Sequence, residues 1–294
     1  SLLLFKLQPN SGMEINMINT KRKALSVVLI IYLICFMFRI LEYFILRTDQ
    51  TFWSEAFIHK LIGIAVLFVV IKHFDFTFKE IGFAKGKTIL CISKGLAFGL
   101  VIFVLAYSAE ILVLALHGNF KTLALYVSAY SVDGNIGHQT ALVFFAICIV
   151  GNIINVVMEE GMFRGLFPKL LEHKYTFIIS AVIASVLFGI WHIMAPIRDY
   201  YDGTMSMSGF IANSVMLVIT SALVGFKFAM ITKLTGNLYM AMGDHFVNNT
   251  IVNILHVISI TGTDELMILR ISIAQSVSFI IVLIWYFVAR HKKR

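Results

Sequence analysis

The feature that most constrains this chain is a recurring one. Apolar runs of about 20 residues, each long enough to cross a ~30 Å hydrocarbon core at 1.5 Å per helical residue, follow one another along the sequence. Eight such windows can be counted, at 24–46, 56–71, 88–116, 140–171, 176–194, 208–230, 237–258 and 267–289. The second is short, and the fourth extends over about 30 residues with soft boundaries. In hydrocarbon every backbone N–H and C=O must find a partner inside the protein, which leaves helices or closed barrels. A barrel strand needs only about ten residues of alternating polarity, so these runs read as helices. Composition agrees: 59% of the residues are hydrophobic and 14% charged, against roughly 25% charged in soluble domains. With 26 Phe, 3 Pro and 3 Cys, a disordered, collagen-like or disulfide-framework protein is excluded. The expectation is an all-α polytopic membrane protein with about eight transmembrane helices. It forms one domain over 24–289, between an N-terminal segment 1–23 and a basic tail 290–294.

The net charge of +8 does not point to nucleic acid, because the cations sit between apolar segments and at the ends, not on one basic face. Lys21, Arg22, Lys23, Lys72, Lys79, Lys85, Lys87, Lys169, Lys174, Lys227, Lys233, Arg290, Lys292, Lys293 and Arg294 fall on one side. Arg47, Lys121, Arg198 and Arg270 fall on the other. By the positive-inside rule both termini face the cytoplasm, in keeping with an even number of helices, and the protein is expected in a cell (inner or plasma) membrane. Residues 1–12 read as sequence upstream of Met13 or Met17, and not as a signal peptide, since the basic cluster 21–23 follows the short apolar run Leu2–Leu4. Cys35, Cys91 and Cys148 lie inside expected helices without metal-binding spacing and read as buried thiols.

Ionisable residues at bilayer depth are costly, on the order of 2.5–3.5 kcal/mol each on insertion scales, so each needs a reason. Arg39, Glu42, Lys94 and Glu110 read as snorkelling or structurally paired groups. A second cluster differs. In the window 140–171, Asn152, Asn155 and Glu159 share a helix face, while Glu160 and Arg164 are spaced i, i+4 as an ion pair. The next window ends Phe188-Gly-Ile-Trp-His192, and the polar turn 172–175 makes the two helices antiparallel neighbours. Glu159 and His192 lie at comparable distances on either side of the turn centre, roughly 25 Å along each helix, so the two can meet. In the window 237–258, His245 and Asn249 lie one turn apart on one face, at about 16 and 22 Å along the helix from the cytoplasmic end near Leu234, continued by Asn253 and His256. Such a polar stripe also suits simple inter-helix hydrogen bonding.

A carboxylate with an imidazole can hold a water and take its proton. A second His and an amide suit the negative oxygen that develops when water attacks an amide carbonyl. This division gives Glu159 and His192 to water activation and His245 and Asn249 to the oxyanion. Zinc is the minority alternative, because two His and one carboxylate form a known catalytic set, but no HExxH motif occurs and the three residues come from three helices. No cofactor is otherwise expected.

Glu159-Glu160-x-x-x-Arg164, Phe188-x-x-x-His192 and His245-x-x-x-Asn249, in this order, resemble the motifs of the CAAX prenyl protease type 2 and bacteriocin-processing family, also called Abi or glutamate intramembrane proteases. The resemblance covers about residues 140–260. It implies a metal-independent intramembrane endopeptidase in which Glu159 is the general base aided by His192. His245 and Asn249 form the oxyanion site, and Glu160 and Arg164 support it. The partners it implies are a peptide or membrane-protein substrate and the lipid bilayer. The compact chain looks like a bacterial member, for which a prenylated substrate is not the first expectation. Two other readings are a non-catalytic scaffold or bacteriocin-immunity protein using the same polar cavity, and a transporter using the intramembrane carboxylates, the latter opposed by the lack of a paired repeat.

Overall fold

The computed structural model describes residues 20–128 and 138–292. What was expected of residues 1–12, and of Lys293 and Arg294, lies outside them. The described chain is mostly helical: α1 (Lys21–Leu41), α2 (Ile58–His73), α3 (Thr88–Leu116), α4 (Leu142–Glu159), α5 (Phe167–Leu171), α6 (Phe177–Trp191), α7 (Met194–Tyr201), α8 (Met207–Thr235), α9 (Tyr239–Ile254) and α10 (Met267–His291). Six segments are long and apolar enough to cross a membrane: Lys21–Gln50, Thr88–Leu116, Leu142–Leu171, Phe177–Tyr201, Met207–Thr235 and Met267–His291. The expected eight also counted α2 and α9. Each has 16 residues, about 24 Å of helix, which falls short of a ~30 Å core. The protein is thus an all-α, multi-pass membrane protein, with six candidate spans of full length among the described residues.

One departure from helix is an antiparallel ribbon of β1 (Phe120–Leu125) and β2 (Leu255–Ser259), with Leu123 opposite Val257 and Leu125 opposite Leu255. The sequence pattern ran the preceding helix on to 258. It stops at Ile254 because Val257 and Ile258 are β-branched and a second strand is available to pair their backbone.

Three cations assigned from sequence to the connections are inside the protein. Lys227 lies within α8, Arg198 within α7 and Arg270 within α10, each with 1% exposure or less. Acids lie beside each of them: Asp244 at Lys227, Asp49 and Asp202 at Arg198, and Glu110 and Asp264 at Arg270. Arg270 Nη1 donates to Glu110 Oε2 at 2.5 Å, and its two Nη atoms donate to the Asp264 carboxylate at 3.1 and 2.7 Å. Glu110 is therefore paired across the fold between α3 and α10. Burial raises the pKa of Asp264, but hydrogen bonds from His256 and Arg270 outweigh it and hold the group below the usual aspartate range.

The packing that positions the site is the contact between α3 and α9. A Cβ on Gly95 would lie 2.1 Å from the Met240 carbonyl oxygen, and one on Gly243 2.5 Å from that of Ile92. Only glycine allows this approach, the usual role of small residues between membrane helices. A separate apolar core joins α1, α2, α4, α5 and α6, with Tyr32, Phe163 and Trp191 in mutual ring contact.

Removing one partner of a buried pair leaves a desolvated charge, which costs about 3–5 kcal/mol. Arg270→Met is expected to lower the thermal midpoint of the purified protein sharply, because Glu110 has no exposure to solvent. Glu110→Leu/Arg270→Met is expected to recover part of the loss. Thermal unfolding in detergent micelles reads both.

Candidate active site

At Glu160 the hydrogen bonding of α4 widens into a π-helical segment, Glu160–Leu166, whose seven residues are all buried. Such segments are rare and recur at functional positions. Glu159 and Glu160 sit at its start and diverge to different sides. Glu159 accepts from Trp191 Nε1 and from Asn155 Nδ2, both at 3.2 Å. Glu160 Oε1 lies 2.8 Å from His245 Nδ1 and 3.2 Å from Arg164 Nη1. The Arg164 guanidinium also lies 3.8 Å from the centre of the Phe188 ring, a desolvated cation–π contact.

His192 caps the C-terminus of α6. Its Nδ1 is 2.8 Å from the Phe188 carbonyl oxygen, an acceptor only, so Nδ1 carries the proton and Nε2 is left with a lone pair. His245, 4% exposed, stacks on Phe228 at 4.9 Å between ring centres. With Nδ1 bound to Glu160, its Nε2 lies 3.2 Å from Asn249 Nδ2 and 3.6 Å from Glu159 Oε2. One imidazole thus spans both carboxylates.

Glu159, His192, His245 and Asn249 line a single cavity of about 220 Å³, together with Asn152, Asn155, Arg39 and Lys60. The four residues that the sequence singled out for catalysis therefore come together. Glu160 and Arg164 stand behind the wall, where they meet His245 and Phe188. Glu159 takes its hydrogen bonds from Trp191 and Asn155, and Glu160, expected as the partner of Arg164, is shared between Arg164 and His245.

Other residues escaped the sequence reading as parts of this site. Arg39 lies 4.6 Å from the Trp191 ring centre, and its Nη1 is 3.1 Å from His59 Nε2. His59 Nδ1 is in turn 2.5 Å from Glu42 Oε2. A charged chain therefore braces the tryptophan that holds Glu159. The signal was present in the burial of Arg39 and Glu42 within an apolar run, but their partner His59 is on another helix. Lys227 and Asp244 form a buried 2.9 Å ion pair next to His245. Among the described residues no three His, Cys, Asp or Glu side chains are grouped to hold a metal ion.

A cysteine on the cavity wall should react with small aqueous thiol reagents, since reactivity follows exposure. In protein lacking Cys35, Cys91 and Cys148, Ser221→Cys, which faces the cavity, is expected to be modified about tenfold faster than Ser278→Cys, at a site 1% exposed. Equal rates by mass spectrometry would contradict the cavity.

Residues 140–251 match the family model for type II CAAX prenyl endopeptidase Rce1-like proteins. No curated protein matches the chain.

Proposed function

On the premise that residues 140–251 assign this multi-pass chain to the CAAX protease family, we propose that it is a glutamate intramembrane endopeptidase that cuts a peptide or membrane-protein substrate with an activated water. The observation that carries this reading is the convergence of Glu159, His192, His245 and Asn249, from α4, the end of α6 and α9, on one cavity.

Two acceptors face that cavity, the Glu159 carboxylate and the His192 Nε2 lone pair. A water donating one hydrogen to each presents its oxygen lone pair to a peptide carbonyl. Glu159 takes one proton as the water oxygen bonds to the carbonyl carbon, and the carbonyl electrons move onto oxygen. Asn249 Nδ2 has two hydrogens; one goes to His245 Nε2 and the other is available to the oxyanion. His245 serves the oxyanion through this bond: Glu160 engages its Nδ1 at 2.8 Å, and its Nε2 holds the Asn249 amide. Glu159 then returns its proton to the leaving amine, the C–N bond breaks, and a carboxylic acid and an amine result.

Metal independence is part of the proposal. It is supported by the engagement of both His245 nitrogens, one by Glu160 and one by Asn249. Both termini are read as cytoplasmic, which rests on Lys21, Arg22 and Lys23 at the start of α1 and on Arg290 and Lys292 at the end of α10.

Purified protein in lipid nanodiscs, given a library of internally quenched octapeptides, is expected to cleave with EDTA present. Glu159→Gln, His192→Ala and His245→Ala should each lower the rate by at least about 100-fold, the scale of losing a catalytic group, while the unfolding midpoints of Glu159→Gln and His192→Ala stay close to wild type; His245→Ala, which takes a partner from buried Glu160, should lower the midpoint as well. Cleavage retained in Glu159→Gln would sink the mechanism, and no cleavage by the wild type would favour the scaffold reading.

A further inference from the structure

An unbroken line of hydrogen bonds runs from α8 through α10 into the site. Lys227 Nζ, buried inside α8, donates to Gln275 Oε1 and to Ser278 Oγ, both at 3.2 Å, and forms an ion pair with Asp244 Oδ2 at 2.9 Å. Gln275 Nε2 donates to Asn248 Oδ1. Asn248 Nδ2 donates to Asn249 Oδ1 at 2.9 Å, and Asn249 Nδ2 meets His245 Nε2 at 3.2 Å. His245 Nδ1 then reaches Glu160 at 2.8 Å.

The direction of this line is fixed at both ends by chemistry. An ammonium can only donate, so the Gln275 atom facing Lys227 is the oxygen and its NH2 must point on to Asn248. The same logic passes through Asn248 and holds the oxygen of Asn249 against the Asn248 amide. From the far end, an ionised carboxylate can only accept, so Glu160 takes Nδ1–H of His245 and leaves Nε2 to accept from Asn249. Both ends give Asn249 the same orientation, with its NH2 towards His245 and the cavity. Reversing that amide would oppose oxygen to an imidazole lone pair and to a developing oxyanion.

We infer that Lys227 and Gln275 are positioning residues that lock the Asn249 carboxamide with its N–H groups facing the reaction centre. This rests on the proteolytic reading above for its consequence, but the orientation itself does not. Gln275 lies outside the stretch 140–251 that matches the family model.

The test is a double-mutant cycle with the octapeptide library in nanodiscs. Gln275→Leu removes both links and is expected to lower kcat about tenfold, a fraction of the 10²–10³ that loss of an oxyanion donor costs, with KM within about twofold. In the Asn249→Ala background the same substitution should change kcat by less than about twofold, because nothing remains to be oriented. A structural role would lower both backgrounds equally, and that result, or an unchanged kcat in Gln275→Leu, overturns the inference. Gln275→Glu keeps the bond to Lys227 but cannot donate when ionised. It should reproduce the loss, and it decides the matter if the leucine variant does not fold.

A second arm needs no cleavage. The side-chain 1H–15N resonances of Asn249, identified by their loss in Asn249→Ala, should move in Gln275→Glu protein, and unmoved resonances overturn the relay. If wild-type cleavage does not depend on Glu159, the proteolytic reading fails, and the resonances alone then decide the relay.

Discussion

The hydrogen bond from His245 Nδ1 to Glu160 Oε1, 2.8 Å long, joins the two halves of the polar centre. Glu160 begins the π-helical segment that follows α4, and His245 lies in α9, 85 positions further along. Once this bond sets the ring, Nε2 is left to meet Asn249 and to face Glu159 at 3.6 Å. Arg164, 3.2 Å from the same Glu160 oxygen, offsets the second of two adjacent carboxylates at membrane depth. Without this offset two neighbouring negative charges would be held away from water, at a cost of several kcal/mol.

Around that bond the fold arranges two kinds of support. On one side, the chain Glu42–His59–Arg39 ends on the face of Trp191, whose indole N–H holds Glu159. On the other, Lys227 and Asp244 form a buried pair beneath α9 and begin the amide line to Asn249. The glycine contact between α3 and α9 fixes the height of that helix. The side chains proposed for catalysis therefore rest on helices held by buried charges. This suits a reaction in which preorganised donors are worth most in a water-poor site.

Much of this was legible in the sequence. Hydropathy located the six candidate spans of the described residues, since apolar runs of ~20 residues in a chain with so few charges fit hydrocarbon and little else. Glu159, Glu160, Arg164, His192, His245 and Asn249 were visible because polar groups are so costly in an apolar run. The reading fell short where partners come from distant segments. Lys227 looked like a connection lysine because its counter-ion, Asp244, is on another helix. Arg39 and Glu42 looked locally paired because His59 is a lone histidine in a separate window. Trp191 carried no polar signal, although its N–H is what holds Glu159. Strand β2 was hidden because Leu255–Ser259 continues an apolar helix pattern, and only its pairing with β1 makes it extended.

The central claim is that Glu159 sits in a working proteolytic centre and not merely in a polar cavity. The most direct measurement compares, by mass spectrometry, the membrane and secreted peptides of cells carrying wild-type protein with those of cells carrying Glu159→Gln at equal expression. The account predicts at least one new peptide terminus that is present with the wild type and lost with the variant. Identical sets of termini in the two cell lines would contradict it.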